Sequence, residues 1–329
     1  QAYTAMLWGP DGMAGAVLEG HEHRIRGAFQ LAGGQIVTWE NGPGLRIWSS
    51  DGGLERVIEK AHDHAPQEAF PLRDGRFFTW GQEGYQDDVW WARLWTGRGD
   101  SVPLIEASGP PLQGLELADG RLLLGTNSRA PTIWNTDGTR GPVLHGHEMP
   151  AYQGAQWPDG RIATTGADYT ARIWSQDGTP LLVLRGHEGG VAGVEPLAGE
   201  RFLTWSFSDR TARVWSEEPW PRSLLRLEGG AAENVQQLSN GSIAVHTDTG
   251  SITLYSANLE RGPTLRNDAR DVIGLIETSD GRLLSQGSVF ADRHPGPALR
   301  VWSAAGEHLV DLAEPEAEFV HVAHLSLIH

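Results

Sequence analysis

Eight aromatic residues recur at a near-constant interval: Trp8, Trp48, Trp95, Trp134, Trp174, Trp215, Tyr255 and Trp302, separated by 40, 47, 39, 40, 41, 40 and 47 residues. A self-similar period of about 40–45 residues describes a supersecondary unit that cannot bury its apolar face alone and must stack on copies of itself. The chain has 329 residues, a length that by itself suggests about two domains. The period overrides that prior, and residues 1–329 are expected to form one repeat domain, a piece of a longer protein.

The best-formed unit runs from Gly146 to Trp174. A Gly-His pair precedes a short apolar stretch, Tyr152 to Trp157. Pro158-Asp159-Gly160 then makes a tight turn, with glycine supplying positive φ. A second strand follows, then a turn at Ala167-Asp168-Tyr169, and a third strand, Thr170 to Trp174, that alternates polar and apolar residues. Ser175 to Gly178 turns into a fourth strand, Pro180 to Leu184. The turn between first and second strands recurs at Gly34, Gly75, Gly120, Gly160, Gly241 and Gly281. Turn and aromatic share one period, and no window shows a sustained helical pattern. Short, evenly spaced strands predict an all-β propeller of four-stranded antiparallel blades.

Composition narrows the function. The formal net charge is −16, which disfavours nucleic-acid binding by phosphate neutralisation. No stretch approaches the ~20 apolar residues of a membrane span, so no membrane partner is expected. With no cysteine, disulfides and thiolate metal sites are excluded. The compartment is not written in the chain; the cytoplasm is favoured.

The pattern resembles the WD40 repeat family in a divergent, bacterial-looking form. Gly-His stands before the first strand at Gly20-His21, Gly146-His147 and Gly186-His187, with Ala61-His62 as a variant. The aromatic ends the third strand and is usually followed by Ser, as at Trp174-Ser175 and Trp215-Ser216, while the family's Asp after Trp is missing throughout. The resemblance implies a buried relay of His, Ser/Thr, Asp and Trp: His147, Thr164, Asp168 and Trp174 in the fourth blade, His187, Thr204, Asp209 and Trp215 in the fifth. Leu124 and Val245 replace the hydroxyl residue in the third and sixth blades, and Gly42 stands where the first would have Asp. Those blades are expected to rest on packing and to be less stable.

Tyr3 to Gly12 matches Tyr169 to Gly178 almost residue for residue. The chain is therefore expected to start at the third strand of a blade, to build seven complete blades, and to finish the first one with Phe319 to Leu325. The expectation is an eight-bladed ring whose last blade is assembled from both termini, which would remove exposed strand edges.

Two blades carry extra residues between the hydroxyl column and the aromatic: Thr79 to Trp95 spans 16 positions and Ser285 to Trp302 spans 17, against 10 or 11 elsewhere. The resemblance puts these loops on the top face with the Gly-His turns, and insertions on a rigid scaffold are where binding concentrates. The second-blade loop offers Tyr85, Asp87, Asp88, Trp90 and Trp91, residue types suited to anchoring an interface. Trp90 and Trp91 could equally begin a lengthened third strand. The seventh-blade loop offers Phe290, Arg293 and His294, or is a tolerated insertion. Met149, Tyr152, Tyr169, Phe207 and Arg210 could add contacts from other top-face turns.

His21-x-His23, His62-x-His64 and His145-x-His147 have spacing that could hold a metal, but the first or last member of each falls in the Gly-His column and reads as a relay member; no metal and no cofactor is expected. There is no nucleophile elbow, zinc-protease helix, P-loop or dinucleotide fingerprint, and the turn carboxylates stabilise turns. The chain is read as a monomeric, non-enzymatic scaffold that binds a protein or peptide on its top face. Two alternatives stand beside that reading: a sensor domain of a multidomain protein with a small ligand in its channel, and a purely structural domain.

Overall fold

The computed structural model describes residues 3–8, 14–83, 89–107, 111–126, 129–197, 201–216, 223–227, 230–266, 272–287 and 299–312. Seven four-stranded antiparallel sheets follow one another along the chain, each meandering in sequence order. Blade 1 takes Ile25–Gln30, Ile36–Glu40, Leu45–Trp48 and Leu54–Ile58; blade 2 takes Glu68–Pro71, Phe77–Glu83, Val89–Trp95 and Ser101–Ala107. Blade 3 takes Pro111–Glu116, Leu122–Thr126, Thr132–Trp134 and Arg140–Val143; blade 4 takes Ala151–Gln156, Ile162–Gly166, Thr170–Trp174 and Pro180–Arg185. Blade 5 takes Val191–Leu197, Arg201–Ser206, Thr211–Trp215 and Ser223–Arg226; blade 6 takes Ala232–Gln237, Ile243–Thr247, Ile252–Tyr255 and Arg261–Leu265. Blade 7 takes Val272–Glu277, Leu283–Gly287, Leu299–Trp302 and His308–Leu312.

The protein is a seven-bladed propeller, which corrects the expectation of eight blades. Tyr3–Trp8 and Ala14–His21 pair only with each other, as a two-stranded sheet. Among the described residues no hydrogen-bonded strand joins this pair to blade 7, so ladder hydrogen bonds do not close the ring; Phe319 to Leu325 lies outside the described residues. The reason is visible in the packing. Ala5, Leu7 and Leu18 of the pair lie against Ile36 and Trp48 of blade 1, so the pair draws its apolar partner from blade 1 without four strands of its own. The local strand pattern of Trp8 is that of a blade, but among the described residues its sheet has two strands, its own and Ala14–His21.

The predicted turn glycines at 34, 75, 120, 160, 241 and 281 all have positive φ, 91° at Gly160. Within a blade, successive residues of a strand face opposite neighbours, and aromatic side chains fill both faces. The recurrent third-strand aromatic faces the preceding blade: Trp215 packs with Trp157 and Ala163 of blade 4, Tyr255 with Leu203 and Trp205 of blade 5, and Trp302 with Leu238 and Ala244 of blade 6. In blades 2 and 5 it stacks on a second-strand ring of its own blade, Phe77 on Trp95 at 6.1 Å and Phe202 on Trp215 at 6.4 Å. On the opposite face Trp205 lies over Gly193, where a Cβ would sit 2.1 Å from the indole Cζ2. That position has to be glycine. Each buried aromatic removes about 150–250 Å² from water, roughly 4–6 kcal/mol before entropy.

The first strands of blades 3, 4, 5 and 6 lie against one another in turn, as do those of blades 1 and 2, and the fourth strands of blades 1, 6 and 7 are mostly exposed. Among the described residues the blades share no ladder, and side chains that accept backbone N–H groups of a neighbour stitch them together. Arg73 N donates to Glu116 Oε2 at 3.0 Å, Ala118 N to Gln156 Oε1 at 2.6 Å and Val194 N to Gln153 Oε1 at 3.2 Å. Gln237 N donates to Glu195 Oε1 at 3.1 Å and Ser239 N to Glu277 Oε2 at 2.8 Å. Every interface from blade 2 to blade 7 thus has one such bond; at Arg73, Ala118 and Ser239 it satisfies an amide that the first-to-second-strand turn would leave open, and at Val194 and Gln237 an amide of the first strand itself.

Candidate interaction surface

The face of interest carries the Gly-His turns and the connections between second and third strands. In blade 4 these two loops are tied by a chain of hydrogen bonds. Trp174 Nε1 donates to Thr164 Oγ1 at 2.9 Å, Thr164 Oγ1 lies 2.9 Å from His147 Nε2, and His147 Nδ1 lies 3.0 and 3.1 Å from the Asp168 carboxylate. The indole is donor only, so the chain is satisfied when the Thr164 hydroxyl donates to Nε2 and Nδ1–H donates to Asp168. The Glu148 amide also donates to Asp168, at 3.0 Å, and the Thr170 hydroxyl at 2.7 Å. Burial opposes the Asp168 charge, but these donors outweigh it and hold the carboxyl well below the usual carboxylate range.

Blade 5 repeats the arrangement. Trp215 Nε1 donates to Thr204 Oγ1 at 2.8 Å, His187 Nε2 lies 2.8 Å from Thr204 Oγ1, and Nδ1 lies 2.8 Å from Asp209 Oδ2. Burial lowers the His187 pKa. Asp209 is lowered as well: burial works against its charge, and Thr211, His187 and the Glu188 amide prevail.

The other blades keep parts of the chain. Blade 1 has His21, Thr38 and Trp48 in contact, and its carboxylate comes from Glu40 on the second strand. Glu40 Oε2 accepts the amides of Glu22 and His23 at 3.1 and 3.2 Å, and Oε1 accepts Arg46 Nη1 at 2.7 Å. The longer side chain reaches the turn that Asp168 reaches in blade 4. Gly42 leaves room for the His23 ring of that turn: a Cβ there would meet His23 Nδ1 at 2.8 Å. Blade 2 has His62, Thr79 and Trp95, and burial drives the His62 pKa down to about 3. Burial, then the Arg46 charge, lower His21 to about 4. In blade 7 Trp302 Nε1 donates to Ser285 Oγ at 2.8 Å. Blades 3 and 6 have Leu124 and Val245, both buried, at the hydroxyl position.

Above the two complete relays the turns are unusual. Tyr169 has φ 66° and Arg210 φ 55°, in equivalent positions directly after Asp168 and Asp209. Left-handed backbone costs a residue with a Cβ roughly 1–2 kcal/mol. The corresponding turn of blade 6 uses Gly250, φ 68°. Tyr169 is 53% exposed, Phe207 49% and Met149 47%, so blades 4 and 5 present three large apolar side chains on one face.

The remaining sequence candidates separate. Trp90 and Trp91 lie on the third strand of blade 2, both half-buried, because the insertion lengthens the hairpin: Glu83 pairs with Val89, Gln82 with Trp90 and Gly81 with Trp91. Tyr85, Asp87, Asp88, Phe290, Arg293 and His294 lie outside the described residues. No group of three or more metal-ligating side chains converges among the described residues, and none of them forms a helix long and apolar enough to cross a membrane.

Compared with known proteins, residues 178–216 match the model of the WD domain, G-beta repeat family. This segment runs from the fourth strand of blade 4 to the end of the third strand of blade 5. No curated protein matches the chain. The chain is thus a β-propeller containing one WD40-like repeat segment.

Proposed function

We propose that the protein is a non-catalytic scaffold of WD40 type throughout its blades, and that it binds a protein or peptide through the top face of blades 4 and 5. The observation that carries this reading is the exposure of Met149, Tyr169 and Phe207 on turns that a buried hydrogen-bond chain anchors to the blade core. Rigid turns present apolar groups at little entropic cost on association. Exposed apolar residues also occur on the outer rim, at Leu54, Leu181 and Leu309, but these sit on three different blades.

The test is partner capture by two triple variants. Serine at Met149, Tyr169 and Phe207 is expected to abolish capture, while serine at Leu54, Leu181 and Leu309 leaves it intact. Equal capture by both variants would contradict the proposal.

A further inference from the structure

Within that reading, we infer that the turns of blades 4 and 5 form a groove for an extended segment carrying a lysine or arginine side chain. Its floor is Gly189-Gly190. A Cβ on Gly190 would lie 3.5 Å from the Ala167 Cα in the blade 4 turn, and a Cβ on Gly189 would lie 2.6 Å from Ser208 Cβ in the blade 5 turn. The two glycines therefore let the two strained turns pack closely together: Gly189 is buried against the blade 5 turn, and Gly190 lies beside the Tyr152 ring, whose Cε2 a Cβ would meet at 3.4 Å. One wall is the turn of Tyr169, the other the turn of Phe207 to Arg210.

The chemistry of the walls selects the occupant. Tyr169 and Phe207 offer exposed aromatic rings, which attract a cation over their faces. Glu148 and Glu188 are exposed at the same turns, and their amides are held by Asp168 and Asp209. With Asp168 and Asp209 they make four carboxylates at these turns, against the three guanidiniums of Arg172, Arg210 and Arg213. The whole chain carries a net charge of −16, which repels acidic segments and steers basic ones. The left-handed backbone of Tyr169 is the second mark of selection. Glycine would relieve the strain, as at Gly250 of blade 6, yet the position holds a large exposed aromatic. The side chain is 53% exposed, so the strain is spent on a surface group.

This inference rests on the top-face reading and is tested apart from it. The probes are capped peptides that differ only in a central Arg, Lys, citrulline or Glu between leucines, with binding followed by fluorescence polarisation. The Arg and Lys peptides are expected to bind, with affinity falling as salt rises, and citrulline and Glu to bind about tenfold more weakly or not at all. Tyr169→Gly should raise the thermal midpoint and weaken the Arg peptide by about five- to tenfold. A double variant, Glu148→Gln with Glu188→Gln, should reduce both the affinity and its salt dependence. Equal binding of Arg and citrulline, unchanged affinity in Tyr169→Gly, or no binding by any peptide would overturn the inference. If capture of a protein partner is still lost in the Met149, Tyr169 and Phe207 serine variant, the top-face reading survives that failure. If capture is retained, both fall.

Discussion

Blades 5 and 6 are adjacent and alike in strand order, yet their top-face turns are built differently. In blade 5 a chain from Trp215 through Thr204 and His187 reaches Asp209, and the turn holds Arg210 at φ 55°. Blade 6 has Val245 and Tyr255 in the core positions. Its Asp248 accepts the Ala231 amide, at 2.8 Å, beside a hydroxyl cluster of Thr247, Thr249 and Ser251, and the turn relaxes onto Gly250. Blade 4 goes with blade 5. On this face the turns tied to the core hold strained side chains, Tyr169 and Arg210, whereas the locally secured turn of blade 6 uses glycine.

This contrast is most exposed to removal of the carboxylates. Asp168→Ala strands the His147 Nδ1–H, the Glu148 amide and the Thr170 hydroxyl, and is expected to cost about 3–5 kcal/mol in urea unfolding. Asp248→Ala should cost only about 1 kcal/mol. Similar losses would erase the distinction between the blades. Exchanging the hydroxyl position sharpens it. Thr164→Val leaves the Trp174 indole and His147 Nε2 without their partner, at about 2–3 kcal/mol, while Val245→Thr buries a hydroxyl in an apolar site at about 1–3 kcal/mol. Each blade should therefore reject the other's residue.

pH separates the relay histidines from the half-buried carboxylate of Glu68. His21 and His62 have pKa values of about 4 and 3 in the folded protein against 6.5. The unfolded chain binds their protons first, so stability is full above pH 6.5 and falls with acidification towards pH 4, by about 1 kcal/mol per pH unit for each histidine. Glu68 on the first strand of blade 2 has the opposite sign. Burial raises it to about 6 from 4.5, so its contribution is present below pH 4.5 and lost as pH rises through 6. Glu68→Gln is expected to add about 1 kcal/mol at pH 8 and nothing at pH 4. The smallest effect is at the turns: Tyr169→Gly should stabilise by about 1 kcal/mol, and Gly250→Ala should destabilise by about as much.

Much of this was legible from residue spacing. His and hydroxyl lie 17 positions apart at His21–Thr38, His62–Thr79, His147–Thr164 and His187–Thr204, and each pair is in hydrogen-bond contact. A turn between paired strands fixes that interval, so sequence can report it. Trp8 misled the blade count because a third-strand pattern is local, whereas a blade needs four registered strands. Glu40 was missed because its carboxylate comes from a strand and not from the turn where Asp168 sits. The acceptors Glu116, Gln156, Glu195 and Glu277 bond to amides of neighbouring blades about 40 residues away, and nothing in a single repeat signals such a partner. Tyr169 and Arg210 were recognisable as surface candidates. Their strain emerges only on alignment with Gly250 and from the backbone angle itself.

Hydrogen exchange of the protein with and without a bound Arg-containing peptide tests the placement of function most directly. Binding on the relay-anchored turns should slow exchange at residues 147–152, 166–170, 187–190 and 206–211 and leave residues 247–251 of blade 6 unchanged. Protection confined to the insertions of blades 2 and 7, with residues 166–170 and 206–211 unaffected, would contradict it.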